Sequence, residues 1–520
     1  MYSDDLMMKK ISNMSIEAKI GQLVMVNVIG RELEEEQIKR IKDYKVGNFI
    51  YFTKNLGEID EIKRLSNSIE SICNEEIGIP PIISVDQEGG NCSRFFQAGL
   101  YYPSPLALSS TPDYIRNCGI CADLMSKELN YLGINMNLAP VCDINTNHLN
   151  PVIGSRSFGC NSSIVSEMVR EFIDKHKYSF TCAKHFPGHG DTIIDSHLSL
   201  PHVTKCDREL NNNEFIPFKA AIEDGVNAIM LAHLTTIDEP SCPASFSKHY
   251  VNVLRKEFGF SGVIITDSLS MGAIQNHFGI DRAAIEAIKA GVDIIITGTG
   301  FRNKNDMSEY DIIDALNNAV KTGEIPIETI NQALCRVLKL KEKIHEKIPN
   351  VDFVLNRRTV DSISLQTITV SKDLLNLIPV HHSSLIISPN LFSEDSFVSG
   401  IHEPPAKTIA SIIRCDYDVF SIEPSEIEIQ NILKQIVKYS TIVYISHRMN
   451  WHQGQSKLLQ AIHKNNERVV LVSFFDPFEC FSVPYISTHI LAYDISSNSI
   501  ESVGKILNGK EKSVGLCRLN

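Results

Sequence analysis

Gly262-Val-Ile-Ile-Thr-Asp-Ser268 reads as a short strand with chemistry at its end. Val263, Ile264 and Ile265 are all apolar, so neither face is made for water, as in a parallel strand covered on both sides. A carboxylate and a hydroxyl follow at once. Seven other runs share this form: Gln22–Val28, Gly47–Phe52, Pro81–Val85, Ile134–Val141, Phe180–Ala183, Ala228–Ala232 and Val292–Thr297. Amphipathic stretches separate them. From Glu32 to Asp43, for example, Leu33, Ile38 and Ile41 line one side of a helix and charged residues fill the rest. Eight strand–helix alternations in about 300 residues predict an α/β fold, an N-terminal (β/α)8 TIM-type barrel, rather than an open sheet.

The remainder predicts a smaller α/β sandwich domain. Strand-like runs occur at Ser384–Ser388, Thr441–Ser446 and Val469–Ser473, with helical text such as Glu426 to Tyr439 between them. The stretch around Asn356-Arg-Arg-Thr359 is polar and irregular. The expected organisation is therefore a barrel over 1–350, a linker over 351–369 and a C-terminal α/β domain over 370–520.

Composition narrows the partners. The chain has 520 residues, 43% hydrophobic and 22% charged, which excludes disordered and fibrous classes. Its 50 basic and 62 acidic residues leave a net charge of −12, against a nucleic-acid or anionic-membrane surface as main partner. Thirteen cysteines form no dense disulfide framework, and the close pair Cys118 and Cys121 lacks the second pair a zinc knuckle needs, so buried helical thiols are expected. The N-terminus begins acidic without an apolar leader core, and no run approaches a membrane span, so the expected location is the cytoplasm. Nothing in the sequence sets the oligomeric state.

Polar groups collect just after the strand runs: Asp86-Gln-Glu-Gly-Gly90, Cys142-Asp143, Lys184-His-Phe-Pro-Gly-His-Gly190, His233 and Asp267-Ser268. In a barrel of this kind substrates sit at the C-terminal ends of the strands. The densest stretch runs from Lys184 to His197. Pro187, Gly188 and Gly190 break any helix there, so His185 and His189 cannot form a helical zinc pair. Asp195 precedes His197 by two residues. A carboxylate so placed can fix the imidazole tautomer and raise the basicity of its other nitrogen, giving a general acid/base near neutral pH; the plain alternative is a turn cap beside a solvated histidine. Asp267 has the rigid, partly desolvated placement of a nucleophile, or else caps the following helix. Asp86 can hold vicinal hydroxyls; Glu88 has the chemistry of an acid, while the glycines beside it point to a backbone role for its neighbourhood. Arg94 and Arg156 are polar clamps or structural ion-pair members. Gly298-Thr-Gly300 has the composition of a weak phosphate cradle. Trp451, between His447 and His452, is the sole tryptophan, suited to stacking on a sugar or to core packing.

Together these motifs resemble the bacterial glycoside hydrolase family 3 β-N-acetylglucosaminidases. Lys184-His-Phe-Pro-Gly-His-Gly-Asp-Thr192, Asp195-Ser-His197, Leu200-Pro201, Asp86-Gln-Glu-Gly-Gly90 with Arg94, Ile153-Gly-Ser-Arg-Ser-Phe-Gly159 and Thr266-Asp-Ser-Leu-Ser-Met271 occur in that family's order. The C-terminal part is similar, more loosely, to the second domain of two-domain members, with Ile506–Lys510 similar to its terminal strand region. The resemblance implies Asp267 as nucleophile, Asp195 and His197 as acid/base pair, and Asp86, Arg94, Arg156, Lys184 and His185 as holders of N-acetylglucosamine. It implies retaining exo-hydrolysis of terminal β-linked N-acetylglucosamine from muropeptide or chitin-type glycosides, through a glycosyl-Asp267 intermediate, with no metal or organic cofactor. Asn91 and Ser199 depart from the usual Arg and Asp and bear on leaving-group preference. Phosphorolysis and sugar binding without turnover are the competing readings.

Overall fold

The computed structural model describes residues 4–196, 199–298, 310–391 and 403–519. Contacts divide the chain into two units. The first comprises Met1–Gln87, Ala122–Ile153 and Asn161–Asp352, and the second Glu88–Cys121, Gly154–Cys160 and Phe353–Asn520.

In the first unit all eight expected runs form strands: β1 (Val24–Asn27), β2 (Asn48–Tyr51), β3 (Ile82–Val85), β4 (Met136–Asn137), β5 (Phe180–Phe186), β6 (Ala228–Leu231), β7 (Val263–Thr266) and β8 (Ile295–Ile296). Every strand residue is buried, as strands covered on both faces require. They pair in parallel in the order β8-β1-β2-β3-β4-β5-β6-β7. The bridge from Ile265 to Ile294, just before β8, closes the ring. The strand β5 runs three residues beyond the expected Ala183. Its neighbours supply the ladder: Lys184 N donates to Pro140 O at 3.2 Å, and Phe186 O accepts from Ala232 N at 2.8 Å. Lys184 and His185 are therefore strand residues held by backbone bonds, not loop residues.

Register is set by polar side chains at the strand beginnings. Asn48 Nδ2 donates to Val24 O at 3.2 Å, tying β2 to β1. Asn135 Oδ1 accepts from Ile83 N at 2.9 Å, tying β4 to β3. Asn227 Oδ1 accepts from Thr181 N at 3.0 Å, tying β6 to β5. Asp293 Oδ2 accepts from Ile264 N at 2.8 Å, tying β8 to β7. Each even strand is thus clamped to the odd strand before it. Arg336 Nε pairs with Asp293 Oδ1 at 2.8 Å and Arg255 with Oδ2, so this buried carboxylate is compensated.

The second unit is a doubly wound sheet: β9 (Thr369–Asp373), β10 (Ser384–Pro389), β11 (Asp416–Phe420), β12 (Thr441–Ser446), β13 (Val469–Ser473) and β14 (Thr488–Leu491). The order is β9-β14-β13-β12-β10-β11, with only β9 antiparallel. Alternation along the strands feeds two cores. Ile386 and Val443 meet Ile409 and Val503 on one face; Leu385, Ile387 and Ile442 meet Ile432 and Leu458 on the other. The smaller α/β sandwich expected of the C-terminal part is present. Two local expectations are corrected. Residues 353–367 form a helix, Phe353–Thr367, where the polar text suggested an irregular linker. Ile506 lies in the helix Ser497–Leu507, and no strand follows it among the described residues.

The segments 88–121 and 154–160 belong to this second unit through specific bonds. Ser104 N donates to Asp494 Oδ2 at 3.1 Å, Ser110 Oγ to Thr367 O at 3.0 Å, and Leu516 N to Ser110 O at 2.7 Å. Arg357 Nη1 donates to Gly99 O at 2.8 Å. Cys118 and Cys121 are buried thiols in the helix Tyr114–Tyr131, and none of the thirteen cysteines is in a disulfide.

A buried carboxyl sits at the C-terminal end of this sheet. Glu479 is fully covered, surrounded by the Ser446 hydroxyl, the Met449 N–H and the Ser473 hydroxyl at 3.1 Å. Burial, and then the neighbouring Asp476 charge, push Glu479 up to about 8. The folded chain therefore keeps a proton that the unfolded chain loses near pH 4.5, so this contribution to stability falls as pH rises from about 5 to 8. Thermal midpoints measured from pH 5 to 9 are expected to decline more steeply for the native chain than for Glu479→Gln. Parallel slopes would refute this account.

Candidate active site

The strand ends place the site residues. Asp86 follows β3 directly, Lys184 and His185 lie in β5, and Asp267 follows β7. Lys184 Nζ donates to Asp86 Oδ1 at 2.7 Å. The Lys184 side chain is 2% exposed and that of Asp86 16%, so Asp86 is the member of the pair that a ligand can reach. Cys182 lies beneath them. Burial pushes its thiol up to about 12, and the charges of Lys184, Asp86 and Asp267 all act on it. Because β3, β5 and β7 run parallel, their C-terminal ends present these charged groups at the same end of the barrel.

His185 is oriented by a residue whose role the sequence did not reveal. Asp143 Oδ2 accepts from His185 Nδ1 at 2.7 Å and from His185 N at 3.2 Å; Asp143 Oδ1 accepts from His189 N at 2.6 Å. Burial alone would raise the Asp143 carboxyl. The attraction of His185 and His189 and their hydrogen bonds outweigh it and hold the group below the usual range. The bond at Nδ1 fixes the orientation of the His185 ring. His189 is used for structure: Nδ1 meets Thr192 Oγ1 at 2.9 Å and Nε2 meets Ser196 Oγ at 3.2 Å. The two imidazole rings thus hold separate side-chain partners, whatever their spacing, while both residues bond to Asp143.

The loop after β5 is pinned where it passes the barrel. At Gly190 a Cβ would lie 1.8 Å from Ile144 O, so only glycine permits that approach. Asn150 Nδ2 donates to His189 O at 2.8 Å. Further along, Ser196 O accepts from Ala273 N at 3.2 Å, which brings the Asp195–Ser196 backbone to the segment that begins at Asp267. Asp195 is half-buried in this loop. His197 lies outside the described residues.

Asp267 is fixed from both sides. Its N–H donates to Leu231 O at 3.0 Å, and its Oδ1 accepts from Ser268 N at 2.7 Å. His233 Nε2 donates to Ser268 O at 2.8 Å while its Nδ1 meets Ser245 Oγ at 2.8 Å. Ser268 Oγ donates to Gly298 O at 2.8 Å; the rest of the Gly298-Thr-Gly300 motif lies outside the described residues. The next helix, Gly272–Gln275, is capped by Met271, so Asp267 is not its cap. His233 was visible only as a polar residue at a strand end, the signal that also marked Asp143.

Arg94 and Arg156 belong to the second unit. Arg156 grips Glu88 with two parallel bonds, Nε to Oε2 and Nη2 to Oε1, each 2.8 Å. Glu88 is wholly buried in this pair, which places it as the partner that orients Arg156 rather than as an acid. Asn91 Nδ2 donates to Ser155 Oγ at 3.2 Å in the same turn region. Trp451 is partly exposed with the Arg448 guanidinium 5.4 Å from its ring centre, and His447 is buried edge-on to Phe475. The tryptophan is thus not core packing.

Residues 15–340 match the model described as glycosyl hydrolase family 3 N terminal domain. The chain belongs to glycoside hydrolase family 3. It is 32% identical over 341 residues to β-hexosaminidase A of Pseudoalteromonas piscicida, covering 60% of this chain but only 56% of that protein. A β-hexosaminidase of Neisseria meningitidis serogroup C is 32% identical over 53% of this chain and 77% of its own. Among solved structures, a family 3 β-N-acetylglucosaminidase from Paenibacillus sp. FPU-7 superposes with a TM-score of 0.89 at 29% identity, covering 96% of this chain and 98% of that one. As a family 3 member the chain is a hydrolase acting on carbohydrate, and among the described residues no helix is long and apolar enough to cross a membrane.

Proposed function

We propose that this family 3 enzyme removes terminal β-linked N-acetylglucosamine with retention, from muropeptide or chitin-type glycosides. The observation that carries the reading is Asp267, a clamped carboxylate at the mouth of a buried strand, at the same end of the parallel barrel as the Asp86–Lys184 pair. The β-hexosaminidase relatives and the Paenibacillus structure support the choice of sugar.

In this mechanism Asp267 attacks the anomeric carbon as the bond to the leaving oxygen breaks. His197, oriented by Asp195, gives its proton to that oxygen. Water, deprotonated by His197, then releases the sugar from Asp267. Asp86, Lys184 and His185 hold the sugar hydroxyls, and Arg94 and Arg156 are assigned to the same task. The reaction draws on no metal or organic cofactor. Thirteen unbridged thiols favour a reducing compartment, the cytoplasm, as the place of action.

Incubation with a slow fluorinated N-acetylglucosaminyl fluoride, followed by peptide mapping, is expected to find the sugar on Asp267. A label on any other carboxylate overturns the assignment.

A further inference from the structure

Two adjacent aliphatic side chains, Ile193 and Ile194, stand 73% and 41% exposed immediately before Asp195. A third, Leu149, is 56% exposed. It lies on a neighbouring loop bonded to the first: Asn147 N donates to Gly190 O at 3.3 Å, Asn147 Nδ2 to Asp191 O at 3.4 Å, and Leu149 N to Asn147 Oδ1 at 3.0 Å. Scattered single aliphatic residues on a surface need no explanation. Here three stand on two cross-bonded loops beside the acid/base segment, and Ser196 O accepts from Ala273 N, in the helix that follows Asp267 by five residues. The group next to an acid that protonates a leaving oxygen is the leaving group itself.

We propose that Ile193, Ile194 and Leu149 form an apolar leaving-group subsite, so that the enzyme favours β-N-acetylglucosaminides whose aglycone presents an alkyl or aryl surface. This rests on the hydrolase reading above and names the substrate class within it. The contact is hydrophobic and non-directional, so it sets preference and leaves the chemical step to Asp267 and His197.

The test compares kcat/KM for methyl, butyl and octyl β-N-acetylglucosaminides, whose leaving alcohols are of similar acidity, so that a difference reports contact and not chemistry. A fully buried methylene is worth about fourfold in binding. A largely half-covered chain should still give an octyl-to-methyl ratio of roughly tenfold or more. In Ile193→Ser/Ile194→Ser the ratio should fall to about two or below, and Leu149→Ser should lower it in part. If 4-nitrophenyl β-N-acetylglucosaminide is hydrolysed but the native ratio is near one, or the double variant keeps the native ratio, this proposal alone is overturned. If no glycoside in the set is turned over, the hydrolase reading fails and this one with it.

Discussion

Asp267→Asn is expected to lower kcat/KM for an aryl β-N-acetylglucosaminide by roughly 10³-fold or more, a loss of about 4 kcal/mol of transition-state stabilisation. The substitution is nearly isosteric. An asparagine Oδ1 can still accept from Ser268 N, and the Leu231 and His233 bonds that position the segment are backbone or belong to other residues. Circular dichroism and the thermal midpoint should therefore be close to native while turnover is lost. A second variant removes doubt about what was lost. Asp267→Gly opens room for azide, which should restore release of the aryl group and yield the α-glycosyl azide. Restored rate with a β product, or a native rate in Asp267→Asn, would sink the nucleophile assignment.

Asp143→Asn should be the other severe change, and for a different reason. In full burial Asp143 accepts hydrogen bonds from His185 Nδ1, His185 N and His189 N, so both of its oxygens face donors. Turning one oxygen into an amide nitrogen sets donor against donor and leaves a buried group unsatisfied, at a cost of about 3 kcal/mol. It also loosens His185, which is assigned to the sugar. The expected result is a midpoint lower by several degrees and, at a temperature where the variant is folded, a kcat/KM reduced ~10- to 100-fold. The pH dependence gives a further check. Because the native Asp143 carboxyl is held below its usual range, its contribution to stability is present above about pH 4 and is lost as pH falls through its folded value. The variant should lose part of that acid limb. A variant that is destabilised yet binds and turns over substrate normally would leave Asp143 a structural role only.

The barrel was legible because a strand buried on both faces must be apolar throughout, and eight such runs stand out against amphipathic helices. The sheet of the second unit was half legible for the same reason. Its β10, β12 and β13 are apolar runs, but β11 is Asp416-Tyr-Asp-Val-Phe420, an edge strand exposed along most of its length. β14 has only four residues, and β9 is partly exposed and bulged against its partner. Such strands are made by their neighbours and carry little pattern of their own. The placement of candidate site residues was legible where it is local in sequence, as in Asp267 after β7. It was not where function depends on meetings across the chain. Glu88 reads as one more acid until it is seen locked to Arg156, 68 residues away. Asp143 reads as strand-end punctuation until its three donors arrive from β5 and the loop beyond.

The paired clamps at the strand beginnings also shape the order in which the ring can be assembled. Their sequence separations are 24, 52, 46 and 29 residues, while the contact joining Thr297 Oγ1 to Met25 O spans 272. Alignment between partners can be settled within each quarter of the ring as it emerges, before the distant seam is sewn. Errors of slippage are then confined to one quarter at a time. An asparagine lost from a single clamp should disturb its own pair of strands and leave the other three quarters to form as before.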